Sequence, residues 1–208
     1  RELAYDVCEM ALTTYICAKA HGVKFTALPI FLVRDFHHDA ILHHVPSRLT
    51  SPAELAGKRV GVNRGYTVTT GVWARSIMQD EFDVDLASVI WATSGDEHVA
   101  EYRAPTNVQP LEDGDLGGRL SSGDLVAAVG AKVDHPDVAA MIEDPFGAAV
   151  SALKMRGLYP INHCVVVRDE LLADNPDIAV QVFDAFAASK SRYLGDLKAG
   201  RISSLGRV

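Results

Sequence analysis

Imidazoles, guanidiniums and one early carboxylate are the groups in this sequence whose placement suggests chemistry. Four histidines crowd into the stretch from Phe36 to His44, at His37, His38, His43 and His44. The run invites a metal reading, yet in an extended chain His38 and His44 share one face and His37 and His43 the other, each pair about 20 Å apart. They can meet on one ion only if the chain bends, and no HxH, HxxxH or HExxH spacing is present. Arg34 and Arg75 offer a different chemistry, because a guanidinium fork matches a carboxylate through two parallel hydrogen bonds and keeps its charge in a half-dry cleft. The competing reading of both is an ordinary salt bridge. His163 stands between Ile161 and Val165, where a lone imidazole is commonly a satisfied core group, whereas in a cleft an imidazole trades protons near neutral pH.

Glu9 follows the first expected strand, at the end where ligands approach an open α/β sheet. There it orients a histidine or accepts a hydroxyl proton; alternatively it is a helix-start charge favoured by the dipole. Tyr66, Thr69 and Thr70 fall at a turn and helix start, where backbone N–H groups make a natural carboxylate cradle. Trp73, one turn later, either walls an aromatic ring or packs the helix.

The elements that must position these groups follow from hydrophobic spacing. A short strand at Tyr5 to Val7 leads into a helix with Met10, Ala11, Thr14, Tyr15 and Ala18 along one stripe, stopping at Gly22. Phe25 to Val33, interrupted by Pro29, and Ala40 to Val45 are two extended runs. Ser51, Pro52 and Glu54 carry the signature of a helix start, with a cap, a proline at the first helical position and an anion in the first turn. Lys58 to Val62 reads as a strand entering a Gly-containing turn, and Thr67 to Asp80 as the helix after it: half of a βαβ unit. Val89 to Ala92 and Leu125 to Val129 are further buried strands, paired in parallel through the intervening helices. Thr93 to Gly118 is mostly loop. Asp134 to Leu153 is helical in part, broken near Pro145 and Gly147. Asn162 to Val167 is a strand, Arg168 to Asp174 a turn of helix, and Asn175 with Pro176 starts a long helix running to about Leu197.

The 208 residues, 48% hydrophobic and 23% charged, sit in the range of ordinary soluble proteins and can bury one large core or two small ones. A net charge of -7 without Lys/Arg clusters excludes a nucleic-acid partner, which requires neutralised phosphates. The longest apolar runs fall far short of the roughly 20 residues that span a bilayer. Cys8, Cys17 and Cys164 are odd in number and set among apolar residues, which reads as buried thiols in a reducing compartment. The chain starts at Arg1 and ends at Arg207 and Val208; both ends are expected to be cut, so an export signal is not excluded.

The order strand, helix, two strands, then "SPAELAGKRVGV", then a Gly turn and helix, resembles the type II periplasmic-binding-protein fold, in which a short helix ending in Leu-x-Gly-Lys introduces the second lobe. Three segments, "YDVCEMALTTYICAKA" at Tyr5 to Ala20, "GVWARSIMQDEF" at Gly71 to Phe82 and "GLYPINHCVVVRDELL" at Gly157 to Leu172, are similar to the 4,5-dihydroxyphthalate decarboxylases. That family usually shows an Arg before the histidine matching His38; here His37 takes its place. The resemblance implies a two-lobed α/β fold with mixed, mostly parallel sheets and a ligand cleft between lobes. Residues 1–45 and 162–208 would form a discontinuous, incomplete first lobe and residues 46–161 the second.

It further implies a carboxy-lyase that converts 4,5-dihydroxyphthalate to protocatechuate and CO2 by protonating the ring. Such a site needs cations for two carboxylates, a proton donor over the ring, a base for a hydroxyl and apolar walls. On this reading Arg34 and Arg75 hold carboxylates, His38 and His163 handle protons, Glu9 and Tyr66 orient the phenolic groups, and Thr69, Thr70 and Trp73 complete the substrate pocket. No organic cofactor is implied; a divalent ion shared between substrate hydroxyls and one or two side chains stays open, as does a homo-oligomer. The partner is a small aromatic carboxylate and the location cytoplasmic. The alternative is a solute-binding protein of an ABC-type importer for a small organic anion, which would be periplasmic; architecture alone does not separate the two.

Overall fold

The computed structural model describes residues 4–202; the expected chain ends at Arg1, Arg207 and Val208 lie outside the described residues. In chain order the elements are β1 (Val7–Ala11), α1 (Leu12–Ala20), β2 (Phe25–Arg34), β3 (Ile41–His44), β4 (Arg59–Val62), α2 (Thr69–Phe82), β5 (Ile90–Thr93), β6 (Val108–Pro110), α3 (Leu116–Ser121), β7 (Ala127–Val129), β8 (Val138–Ala140), α4 (Pro145–Arg156), β9 (Ile161–Arg168), α5 (Asp169–Asp174) and α6 (Ile178–Lys198). One compact unit takes the described residues up to Arg34 and from Ile161 onward; the other is Asp35–Pro160. The break expected after residue 45 thus falls after Arg34, because β3 pairs with β7 and β8 and places Ile41 in the core of the second unit.

The first unit is a three-stranded antiparallel sheet in the order β1-β9-β2. Its centre is β9, whose β-branched run Val165, Val166 and Val167 is buried together with Cys164, as expected for a strand covered on both faces. On one face Leu28, Ile30, Val165 and Val167 pack with Ile178, Ala179 and Val182 of α6. Pro29 has no N–H to give to a ladder, and β2 accommodates it where its register shifts between Leu28 and Phe31. The first helix begins later than its apolar stripe suggests: Glu9, Met10 and Ala11 pair with Val165, Cys164 and His163, so tertiary pairing extends the strand at the helix's expense. Gly22, at φ 79°, takes the left-handed conformation that ends α1.

The second unit holds a six-stranded sheet in the order β6-β5-β4-β7-β3-β8. The four strands from β6 to β7 pair in parallel, with α2 between β4 and β5 and α3 between β6 and β7 along the chain, while β3 runs antiparallel to both neighbours. Leu55, Val60, Val62, Ile77, Met78, Trp91 and Val129 fill its main core. The predicted start at Ser51 is a capping box: the Ser51 hydroxyl accepts from Ala53 N at 3.3 Å and Glu54 Oε1 accepts from Ser51 N at 3.1 Å. Pro145 does not break a helix; it opens α4, with Asp144 capping Gly147 N at 2.9 Å. The loop expected between Thr93 and Gly118 contains the short strand β6 and the start of α3. No helix among the described residues is long and apolar enough to cross a membrane.

Candidate functional site

In the first unit β1, β9 and β2 bring three predicted groups to one end of the sheet. Ala11 opposes His163 and Glu9 opposes Val165, so Glu9 and His163 are diagonal cross-strand neighbours. Their side chains meet, His163 Nδ1 lying 2.5 Å from Glu9 Oε1. An ionised carboxylate only accepts, so in this pair Nδ1–H donates and Nε2 is left for a ligand. The pair is 39% and 47% exposed, wet enough to be reached. Glu9 therefore stands in a strand and orients a histidine; it is not a helix-start charge. Arg34, exposed at the end of β2, opposes Ile161, two residues from His163.

His38 lies in the second unit, in a 3-10 turn spanning His38–Ala40. The chain therefore bends before β3, and the histidine run is not one extended face. Among the described residues no three His, Cys, Asp or Glu side chains are grouped as a metal ion requires. The His38 ring is buried, with Nε2 3.1 and 3.2 Å from the two oxygens of Glu81. Glu81 also pairs with Arg156, and Arg156 lies 3.4 Å from Asp80. A carboxylate only accepts, so His38 Nε2–H donates to Glu81; the Nδ1 atom is buried and has no partner. His38 also lines a cleft of about 410 Å³ walled by Phe36, Phe146 and Tyr159 and rimmed by Asp35, Asp39 and Asp144. The Phe36 and Tyr159 rings sit 4.8 Å apart, and Phe36 meets Phe146 edge-on at 6.3 Å. Trp73 is half-buried and faces a gap of about 20 Å³ that it shares with Phe36 and His38.

The start of α2 differs from expectation in its occupant. The N–H groups of Tyr66 and Thr67 already serve a carboxylate, that of Glu97, at 2.5 and 3.1 Å, and the Thr67 hydroxyl donates to it at 2.5 Å. Thr69 is buried and Thr70 half-buried in the first turn of the helix. Arg75, expected to present its fork to a ligand, is instead 5% exposed. Its guanidinium carbon lies 3.7 Å from the Tyr66 ring centroid and 5.5 Å from that of Trp91, and Nη2 donates to the Tyr66 carbonyl at 2.6 Å. Burial pushes its pKa down, opposed by the nearby Tyr66, Tyr102 and Glu97; a guanidinium keeps its proton all the same. The stripe of α2 that carries Ile77 and Met78 into the core takes Arg75 with it, and stacking on aromatic faces compensates the charge.

No protein-family model matches the chain. Over 212 aligned positions it is 29% identical to the 4,5-dihydroxyphthalate decarboxylase of Comamonas testosteroni, covering 92% of this chain and 62% of that protein. Against the 4,5-dihydroxyphthalate decarboxylase of Pseudomonas putida it is 32% identical over 164 positions, covering 72% of this chain and 63% of that one. The chain is thus similar to both decarboxylases over most of its own length. It spans less than two-thirds of the length of either decarboxylase. Among solved structures, the periplasmic aliphatic sulphonate binding protein of Escherichia coli superposes with a TM-score of 0.53 at 12% identity, covering 95% of this chain and 59% of that protein, so the fold is of the periplasmic-binding-protein type.

Three residues of these networks escaped sequence reasoning. Glu81 and Arg156 complete the His38 network from 43 residues downstream of His38 and from a further helix, and Glu97 reaches back 31 residues to Tyr66. None lies at a helical or strand spacing from its partner, so periodicity carries no trace of these contacts. The only local hint was Gly65 at the turn, a position that a close neighbour would require to lack a side chain.

Proposed function

We propose that the protein decarboxylates a dihydroxylated aromatic dicarboxylate, converting 4,5-dihydroxyphthalate to protocatechuate and CO2. His163, protonated on both nitrogens and held through Nδ1 by Glu9, gives its Nε2 proton to the ring carbon that bears the departing carboxylate. The hydroxyl para to that carbon feeds electron density into the ring and keeps its proton. The carbon–carboxylate bond then breaks, CO2 leaves, and the bonding pair restores aromaticity. Arg34 seats a carboxylate through its fork, while Tyr66, Thr69 and Thr70 supply polar contacts at the start of α2 and Trp73 an apolar wall. No organic cofactor enters this scheme.

The observation that carries the proposal is the Glu9–His163 pair at 2.5 Å, an acid–base dyad in a chain similar to decarboxylases. A receptor needs charge and hydrogen bonds but little proton-transfer equipment. The test is incubation of the intact protein with 4,5-dihydroxyphthalate, following CO2 and protocatechuate with and without chelator. Turnover supports the proposal, and its chelator sensitivity decides whether a divalent ion takes part. Tight binding with no CO2 released would instead favour the solute-receptor reading, with which the fold of the sulphonate binding protein is compatible.

A further inference from the structure

One peptide unit in the turn before α2 joins two opposite charges. Thr67 N–H donates to Glu97 Oε2 at 3.1 Å, and the carbonyl of that same peptide, on Tyr66, accepts from Arg75 Nη2 at 2.6 Å. The positive end of the peptide dipole thus faces an anion and its negative end a cation, an alignment that stabilises both and strengthens each hydrogen bond. Two more donors, Tyr66 N–H and the Thr67 hydroxyl, converge on the same carboxylate at 2.5 Å each. The backbone is shaped to admit it. Arg64 adopts φ 63°, unusual for a residue with a side chain, and a Cβ on Gly65 would stand 2.7 Å from the Asp96 carbonyl and 2.8 Å from the Glu97 carboxyl carbon. Beneath the turn, Arg75 is 5% exposed and its Nη1 has no partner, so the Tyr66 carbonyl is a principal anchor of a buried cation.

We propose that Glu97 is a positioning residue: its carboxylate fills a three-donor receptor formed by Tyr66 and Thr67, and through the Tyr66 carbonyl it fixes both Arg75 and the start of α2 where a ligand's carboxylate is met. This rests on reading Tyr66, Thr69 and Thr70 as substrate-binding. The receptor is built for a carboxylate but is filled from within. A substrate therefore meets the first turn of the helix at Thr69 and Thr70, while the backbone of Tyr66 and Thr67, already engaged, holds its geometry. Removal of Glu97 leaves the donors in place without an acceptor, so a small free carboxylate should take the vacated position.

The test uses Glu97→Ala in the intact protein with formate as the probe. In the variant, formate should shift the Tyr66 and Thr67 amide NMR signals saturably, while the native protein shows no such response. Loss of the anchor should raise KM for 4,5-dihydroxyphthalate by about tenfold with kcat changed by less than about threefold, and formate should reverse much of that rise. A side chain needed only for packing would not be rescued by a free anion. Absence of saturable amide shifts in the variant, or an unchanged KM, overturns the proposal. If Glu97→Ala does not fold, Glu97→Gln carries the same titration, because its carboxamide cannot satisfy all three donors and formate should displace it. The amide titration requires no turnover: formate binding without decarboxylation leaves Glu97's role standing and removes the proposed function, while turnover with an unaltered KM does the reverse.

Discussion

Glu9→Gln separates chemistry from stability more cleanly than any other single change here. Its partner His163 sits 2.5 Å away and the pair is 39% and 47% exposed, so water screens the interaction and its loss should cost no more than about 1 kcal/mol of stability. In a domain of this size that corresponds to a fall in Tm of about 2–4 °C. Catalysis should respond on another scale. A carboxamide no longer stabilises an imidazolium, and its amino group turned toward Nδ1 favours the tautomer with the proton on Nε2. Acid–base assistance is worth about 10²–10⁴ in rate, so a loss of at least about 10²-fold in kcat, or about 2.7 kcal/mol of transition-state stabilisation, is expected. Release of CO2 from 4,5-dihydroxyphthalate measures the first quantity and thermal unfolding the second. His163→Ala should be as damaging, and the double variant no worse than His163→Ala alone, since the two residues act as a unit. A kcat for Glu9→Gln within threefold of the native value would refute the dyad's role.

Three other outcomes are expected. Arg34→Ala should raise KM for the dicarboxylate by roughly tenfold or more with little change in kcat, because the fork binds a group that persists through the reaction; steady-state kinetics decide it. Gly65→Ala should cost about 2 kcal/mol in urea unfolding, since its Cβ would meet the Asp96 carbonyl at 2.7 Å and the Glu97 carboxylate. His43 has its pKa lowered, chiefly by burial and further by His44. Below about pH 6.5 the unfolded chain therefore binds a proton that the folded chain refuses, and stability present above that pH declines as pH falls toward the folded value. Denaturant unfolding between pH 8 and pH 5 should show this decline, and His43→Phe should flatten it.

Local signals in the sequence located most elements, and long-range pairing moved their edges. The capping box at Ser51 and Glu54, the strand–turn–helix around Asn63 and the valine run of β9 are dictated by neighbours within a few residues, so they were legible. The start of α1, the place of β3 and the helix opened by Pro145 were not. Glu9 to Ala11 have helical spacing but pair with β9, and the histidine run bends because the turn at His38–Ala40 precedes a strand claimed by the second sheet. Among candidate site residues, Glu9, Arg34 and His163 assemble on one sheet because their strands are hydrogen-bonded neighbours. Arg75 could not be placed from sequence, since a guanidinium on a helix is usually solvated and only the Tyr66 and Trp91 rings make its burial tolerable.

The strand order β1-β9-β2 has a consequence for biosynthesis. Among the described residues β1 and β2 are not ladder partners; each pairs with β9 alone, which emerges from the ribosome more than a hundred residues after β2. The inserted unit, Asp35–Pro160, is contiguous and can acquire its fold while the flanking hairpin halves wait with unpaired edges. Nascent chains halted before Ile161 should therefore contain an ordered middle and an unformed first sheet, and in that interval β1 and β2 are the segments most exposed to mispairing with other chains.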